Sequence, residues 1–215
     1  MGWVRSFCLD ARALVSLLAF ILLLPLAGCG RNEEENQVPD PHWASFPVPL
    51  RVDEDLLDGR FANEDLLSAI SFWETRAHRT LFTLGNPWPH GVLPYSGLAA
   101  NPNGLLDNVI FFQSPWPQEW EARVAGKTII HSTSSLIAHA VIFLNAETRL
   151  CSALCIDEAD STSRRKLLAH ELGHFLGFAH VNDPQNIMYP EIQQGGYLDN
   201  LKIDEGRLRA LLPRP

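Results

Sequence analysis

Three histidines and a glutamate lie within eleven residues near the end of the chain. Residues 170–180 run His-Glu-Leu-Gly-His-Phe-Leu-Gly-Phe-Ala-His. Residues four apart share one face of a helix, so His170 and His174 can present two imidazoles to one ion. Glu171 lies one position further on, where it can reach a water molecule on that ion without being a third ligand. The pattern predicts a metal site with a catalytic base, Glu171, on a helix.

The same stretch predicts how a third ligand arrives. Gly177 tolerates the left-handed conformation that ends a helix, and a turn there returns His180 to the ion. Three nitrogen ligands leave a fourth position open, which is the arrangement of catalytic zinc, whereas structural zinc sites are closed. An amphipathic helix with incidental histidines is the alternative. The eleven-residue pattern is much more specific than its His-Glu-x-x-His core, and it favours the zinc site.

Three helices are predicted to position this site. The active-site helix spans Ser161 to Gly177, with Ser161, Thr162 or Ser163 as its N-cap. An earlier helix begins at Asn63 and buries an apolar stripe at helical spacing. The stripe consists of Leu66, Ile70, Trp73, Ala77 and Leu81. A last helix begins at Asp204, with Ile203 and Leu208 as a hydrophobic staple around its N-terminus.

Four strands are predicted from short runs of β-branched and aromatic residues. They are Phe46–Val52, Asn108–Phe112, Lys127–His131 and Ile137–Asn145. Residues 84–102, rich in Pro, Gly and Asn, and residues 114–121 are predicted loops. Strands with one helix early and another late indicate an α+β domain.

The composition limits the classes of function. The chain has 215 residues, of which 46% are hydrophobic and 20% charged, so it can form one domain with a short appendage. Its formal net charge of −8 argues against a nucleic-acid partner, because phosphate binding favours a basic surface.

The first thirty residues are typical of an export signal. Arg5 and Arg12 precede a short apolar run that ends in Leu26-Ala27-Gly28-Cys29. This ending resembles the lipobox of bacterial lipoproteins, which implies cleavage before Cys29 and lipidation of its thiol. An ordinary signal peptide with a chance cysteine, or an uncleaved anchor, remains open.

We therefore expect a lipoprotein signal peptide over 1–28, a tether over 29–42 and a catalytic domain over 43–215. The protein would be exported and anchored by lipid on the outer side of the cytoplasmic membrane or in the outer membrane.

Two further cysteines, Cys151 and Cys155, lie close together ahead of the active-site helix. An exported protein meets an oxidising compartment, so a disulfide between them is plausible. Free thiols or an extra metal site are the alternatives.

The motif as a whole resembles the metzincin metallopeptidases, which carry a methionine turn beyond the third histidine. Met188 follows His180 by eight residues, and Met188-Tyr189-Pro190 is similar to the matrixin branch, the relatives of matrix metalloproteinases. The resemblance covers roughly residues 43–213, although only 170–190 is specific. It implies a metzincin-like catalytic domain with a twisted mixed sheet, and it implies that Met188 forms an apolar floor under the histidines.

The chain departs from the family at several positions. Ile192 stands where a tyrosine often helps to shape the pocket beside the cleaved bond. The structural zinc and calcium sites of animal members are not recognisable, so calcium is possible but unsupported. The remaining histidines are expected to be surface or core residues without a metal: His42, His78, His90, His131 and His139.

The resemblance implies a zinc-dependent endopeptidase that acts on proteins or peptides. Zinc held by the three histidines would activate a water molecule, and Glu171 would carry its proton to the leaving amine. The strand Ala138 to Glu147 is expected to be the edge strand along which the substrate pairs. The alternative function is a non-catalytic cell-surface binding module on the same fold. The presence of Glu171 with all three ligands favours the enzyme.

Overall fold

The main sheet packs against the helix that carries His170 and His174. The computed structural model describes residues 41–54, 56, 63–89, 92, 107–151, 162–192 and 195–212, which belong to one compact unit. The predicted signal peptide, Cys29, most of the tether, His90 and Cys155 lie outside them. The strands of the main sheet are β1 (His42–Trp43), β2 (Val48–Val52), β3 (Phe82–Leu84), β4 (Val109–Gln113), β5 (Gly126–Thr133) and β6 (Leu136–Asn145).

The main sheet is mixed, as the resemblance to the metzincins implies. Strand β6 pairs in parallel with β4 and β1, while β2 pairs in parallel with β4 and β3. Strand β5 is antiparallel to β6. A small second sheet pairs β7 (Leu150–Cys151) with β8 (Thr162–Ser163).

The prediction that the segment from Ala138 to Glu147 is an edge strand is wrong. Strand β6 has β4 on one side and β5 on the other, so the segment from Ala138 to Glu147 lies inside the sheet. Among the described residues, β5 is the strand at this edge, because it pairs only with β6. The sequence did not reveal the order, because the alternation of residues along a strand does not show which strands pair.

Three α-helices are present in the described part of the chain: α1 (Asn63–Ala77), α2 (Arg164–Leu176) and α3 (Glu205–Leu211). The α+β class and the three predicted helices are therefore confirmed. The active-site helix begins at Arg164 rather than Ser161, because Thr162 and Ser163 pair with β7. Ser163 occupies the N-cap position without a side-chain capping bond, whereas the Asp204 side chain accepts from the Arg207 backbone N–H and caps α3.

Apolar packing covers both faces of the sheet. On one face, α1 and α2 pack together over even-numbered β6 residues such as Ile142 and Leu144. Trp73 of α1 is fully buried there, and its indole N–H donates to the Ala169 carbonyl of α2 at 2.7 Å. On the other face, Val141 and Phe143 lie in a smaller aromatic cluster. No helix in the described ranges has both the length and the apolar character to cross a bilayer.

Candidate active site

Helix α2 ends at Leu176, two residues after its second histidine, His174. The Gly177 N–H donates to the His174 carbonyl at 2.9 Å, and the Phe178 N–H donates to the Gly173 carbonyl at 2.9 Å. Gly177 has φ = 103°, so the chain leaves the helix through a left-handed residue, as the sequence predicts. A Cβ at this position would also meet the carbonyl oxygen of Pro41. This turn returns the chain to α2, where His180 joins His170 and His174.

The three predicted ligands converge. The Nε2 atoms of His170 and His174 lie 3.1 Å apart, those of His174 and His180 3.0 Å, and those of His170 and His180 3.2 Å. Ligand nitrogens at about 2.0–2.1 Å from a tetrahedral zinc ion would be roughly 3.3 Å apart. The ring planes of His170 and His174 are 86° apart, so their in-plane lone pairs can meet at one point. The histidines therefore fit a zinc ion without rearrangement.

Backbone carbonyls fix the orientation of two of these rings. His170 Nδ1 donates to the Ile187 carbonyl at 2.7 Å, and His174 Nδ1 donates to the Phe178 carbonyl at 2.8 Å. A carbonyl can only accept, so Nδ1 carries the proton in each ring and Nε2 is left as the free donor atom. This is the tautomer that a zinc ligand needs.

The electrostatics of the site also favour neutral imidazoles. Burial, with a further contribution from the charges of His174 and His180, lowers the pKa of His170 to about 3, although its bond to Ile187 opposes the shift. Burial lowers the pKa of His174 and of His180 as well. The ligands are therefore in their metal-binding form at neutral pH.

Met188 is buried beneath α2. Its backbone N–H donates to the Asn186 side chain at 2.9 Å, and its carbonyl accepts from the Val181 N–H at 3.0 Å. Gly173 lies directly above its sulfur, where an added Cβ would also come within 2.7 Å of the Trp73 ring. A glycine between the two histidines of α2 lets the methionine turn approach the helix closely.

Glu171 lies on the side of α2 that faces the sheet. It is only 3% exposed, and burial raises its pKa to about 7 in spite of a hydrogen bond from Thr128. The Thr128 hydroxyl is 2.6 Å from Glu171 Oε2. A carboxyl group with a pKa near neutrality can both take up and release a proton at pH 7.

Sequence reasoning missed Thr128 and the carbonyls of Ile187 and Phe178. Backbone acceptors leave no trace in residue type. Alternation along the predicted strand at 127–131 could have placed Thr128 on one face, but it does not show which face meets α2.

The described histidines that the sequence predicts to be without a metal do not join the cluster of His170, His174 and His180. His131 and His139 lie on β5 and β6, with their rings stacked at a centroid distance of 4.2 Å. Cys151 takes part in a disulfide bond, and Cys155, its predicted partner, is outside the described residues. His42, which the sequence assigned to the tether, pairs with Leu136 in the sheet.

Comparison with known proteins gives a family match. The model of the matrixin family matches residues 108–206. No curated protein sequence matches the chain. Among solved structures, metalloproteinase-II from Bacteroides fragilis is similar at 16% identity with a TM-score of 0.39, and the match covers 83% of this chain. The chain spans 59% of that structure's own length.

Proposed function

We propose that this chain, a matrixin-like metzincin, is a zinc-dependent endopeptidase that uses Glu171 as its general base. The family match indicates a metallopeptidase domain over residues 108–206. The observation that carries the proposal is the convergence of His170, His174 and His180, whose Nε2 atoms all lie within 3.2 Å of one another. In the described ranges these three residues form the group that could hold a metal ion.

The three histidines would hold the ion and leave one coordination position open. A bound zinc ion lowers the pKa of its water and polarises a substrate carbonyl. The carbonyls of Ile187 and Phe178 hold the rings of His170 and His174 in the orientation that a metal ligand needs. The histidine rings therefore need little reorientation when a metal ion binds.

Glu171 would move the proton. Its carboxylate takes a proton from the attacking water and later gives it to the nitrogen of the departing amine. The burial that raises its pKa to about 7 suits both steps, because neither direction of transfer is then strongly uphill.

Strand β5 is the proposed docking edge for the substrate. It is paired on one side only among the described residues, and its Thr128 touches Glu171. An extended peptide added along this edge would lie on the strand that contacts the catalytic base. We assign to β5 the role that the sequence suggested for β6.

The alternative function is a non-catalytic binding module on the same fold. It is not favoured, because a module without turnover has no need of a buried carboxyl group on the helix that carries two of the three converged imidazoles. The presence of Glu171 together with all three histidines supports the enzyme.

The substitution Glu171→Ala tests the assignment. We expect the variant to retain one zinc per chain and to lose casein cleavage by about 10²- to 10⁴-fold, the usual contribution of a general base. Chelation should abolish the wild-type activity. Glu119→Ala is the control, because Glu119 is an exposed residue in the turn before β5. Cleavage at the wild-type rate by Glu171→Ala would contradict the assigned mechanism.

We also propose that the enzyme is an exported lipoprotein anchored through Cys29, on the outer side of the cytoplasmic membrane or in the outer membrane. The Leu-Ala-Gly-Cys ending of the apolar segment supports this. Replacement of Cys29 by serine should stop both acylation and this route of processing. A Cys29→Ser protein that is still processed and membrane-bound would refute the anchor.

A further inference from the structure

The side chains of β5 alternate between the two faces of the sheet. Gly126, Thr128 and Ile130 pair with Leu144, Ile142 and Ala140 of β6, and those three partners belong to the core beneath α2. Thr128 therefore points at α2, in line with its contacts to Glu171.

The Thr128 hydroxyl has two acceptors within reach, and both belong to Glu171. Its Oγ1 lies 2.6 Å from the carboxyl Oε2 and 3.1 Å from the backbone carbonyl oxygen. A hydroxyl has one proton to donate and lone pairs with which to accept, so only one of these oxygens receives its proton at a time.

The other carboxyl oxygen lies against Gly126. A Cβ built at Gly126 would be 2.7 Å from Glu171 Oε1 and 3.0 Å from its Cδ. Strand β5 thus supplies a hydrogen-bond donor for Oε2 through Thr128, and at Gly126 it leaves room for Oε1 because glycine has no side chain. Thr128 and Gly126 fix where the buried carboxyl group lies between β5 and α2.

We propose that Thr128 is a positioning residue that holds the Glu171 carboxyl group in place between β5 and α2, an inference that rests on the proposed peptidase function. The bond from the Thr128 hydroxyl to Oε2 and the space that Gly126 leaves for Oε1 set the orientation of the carboxyl plane. A base held in one orientation keeps its geometry toward the reacting atoms, and loss of the Thr128 hydroxyl would let the carboxyl group leave that orientation.

Three substitutions in the zinc-loaded full chain test this role. Thr128→Val keeps the shape of the side chain and removes the hydroxyl. Thr128→Ala removes the hydroxyl and the methyl group together, whereas Thr128→Ser keeps the hydroxyl. We expect Val and Ala to lower kcat about tenfold, the size expected for one lost bond to a charged group. We expect KM to stay within about twofold, because Thr128 contacts the base rather than the substrate.

Serine should keep kcat within about threefold of wild type, because its hydroxyl can make the same bond. Thr83→Val is the matched control, since Thr83 is an exposed strand residue on β3, at the other side of the sheet from β5, and should leave both constants unchanged. Crystal structures of the metal-free variants give a readout independent of activity. The Glu171 carboxyl group should stay beside residue 128 in wild type and Thr128→Ser and leave it in Thr128→Val.

The outcomes separate this inference from the function it rests on. An active wild type, an inactive Glu171→Ala and an unimpaired Thr128→Val would overturn the positioning role and leave the peptidase intact. Equal losses in Val and Ser would show a packing role and would also overturn it. A zinc-loaded wild type that cleaves no protein or peptide would overturn both.

Discussion

Two groups of histidines lie on opposite faces of the same sheet. In the first, His170, His174 and His180 point their Nε2 atoms at a common centre, with all three separations between 3.0 and 3.2 Å. In the second, His131 and His139 pair across β5 and β6 with their rings only 5° from parallel. His139 shares its face with Val141 and Phe143, away from α2.

The difference lies in orientation. The lone pairs of an imidazole lie in the ring plane, so two parallel rings stacked at 4.2 Å cannot aim at one ion, whereas rings 86° apart can. Carbonyls hold His170 and His174 by Nδ1, but His139 Nδ1 has no hydrogen-bond partner in the described structure. Proximity of histidines is therefore insufficient for a metal site, and an outer set of acceptors that turns the rings inward is also needed.

The comparison is tested most strongly by removal of one ring from each group. His174→Ala should lower zinc affinity at least about a hundredfold, because it takes away a direct ligand, and cleavage should fall with it. His139→Ala should still bind one zinc per chain. Competition with a chromophoric chelator measures both affinities. A large loss of zinc in His139→Ala together with retention in His174→Ala would reverse our assignment.

The support beneath the first group is tested by Gly173→Ala. The added methyl group would press on the Met188 sulfur and come within 2.7 Å of the Trp73 ring. Overpacking of this kind costs about 1–3 kcal/mol, so the free energy of unfolding should fall by that amount in urea titrations. Zinc affinity should fall as well, since His170 and His174 flank the glycine. Wild-type stability in this variant would mean that the methionine turn is not tightly packed.

A smaller loss of stability is expected from a substitution at the C-terminal end of α2. The Trp43 indole N–H donates to the Phe175 carbonyl at 2.8 Å, and the two rings stack at 4.9 Å. Trp43→Phe retains an aromatic ring and removes the donor, which leaves a buried carbonyl unpaired and costs about 1–2 kcal/mol. Thermal unfolding of the metal-free protein measures the loss. An unchanged transition would show that β1 does not brace the turn that leads to His180.

The sequence predicted the first histidine group well because its information is local. Spacing of four residues on a helix, a glycine at the turn and a methionine beyond it are visible in the order of residues alone. The early helix and four of the strands were also predictable from periodicity, and their existence is confirmed.

The features that could not be predicted from the sequence depend on contacts between residues far apart in the chain. The position of β6 inside the sheet depends on which strands pair, and alternation alone does not decide this. The start of α2 was placed three residues early because Thr162 and Ser163 pair with β7 rather than cap the helix. Thr128 reaches Glu171 across 43 positions, and only the fold brings them together.

The smallest predicted effect is a change in how protein stability depends on pH, and it concerns His139 of the second histidine group. Burial, and to a lesser extent the charge of His131, lowers the pKa of His139 below its ordinary 6.5. The unfolded chain therefore binds a proton more readily than the folded chain, and stability is lost as the pH falls below about 6.5. His139→Leu removes this difference, so its stability should depend less on pH than that of the wild type.

The pH dependence of the unfolding free energy can fall by at most the contribution of one proton in His139→Leu. That contribution is about 1.4 kcal/mol per pH unit. Urea titrations of both metal-free proteins between pH 7.5 and 5.5 measure it. The lowered pKa values of the three site histidines give both proteins a shared loss in acid, and the raised pKa of Glu171 opposes it, since a raised carboxyl pKa favours folding as the pH falls from 7 toward 4.5. The difference between the two slopes therefore isolates His139. Equal slopes would show that His139 can be protonated in the folded state, and its ring would then be less sealed from water than its 5% exposure indicates.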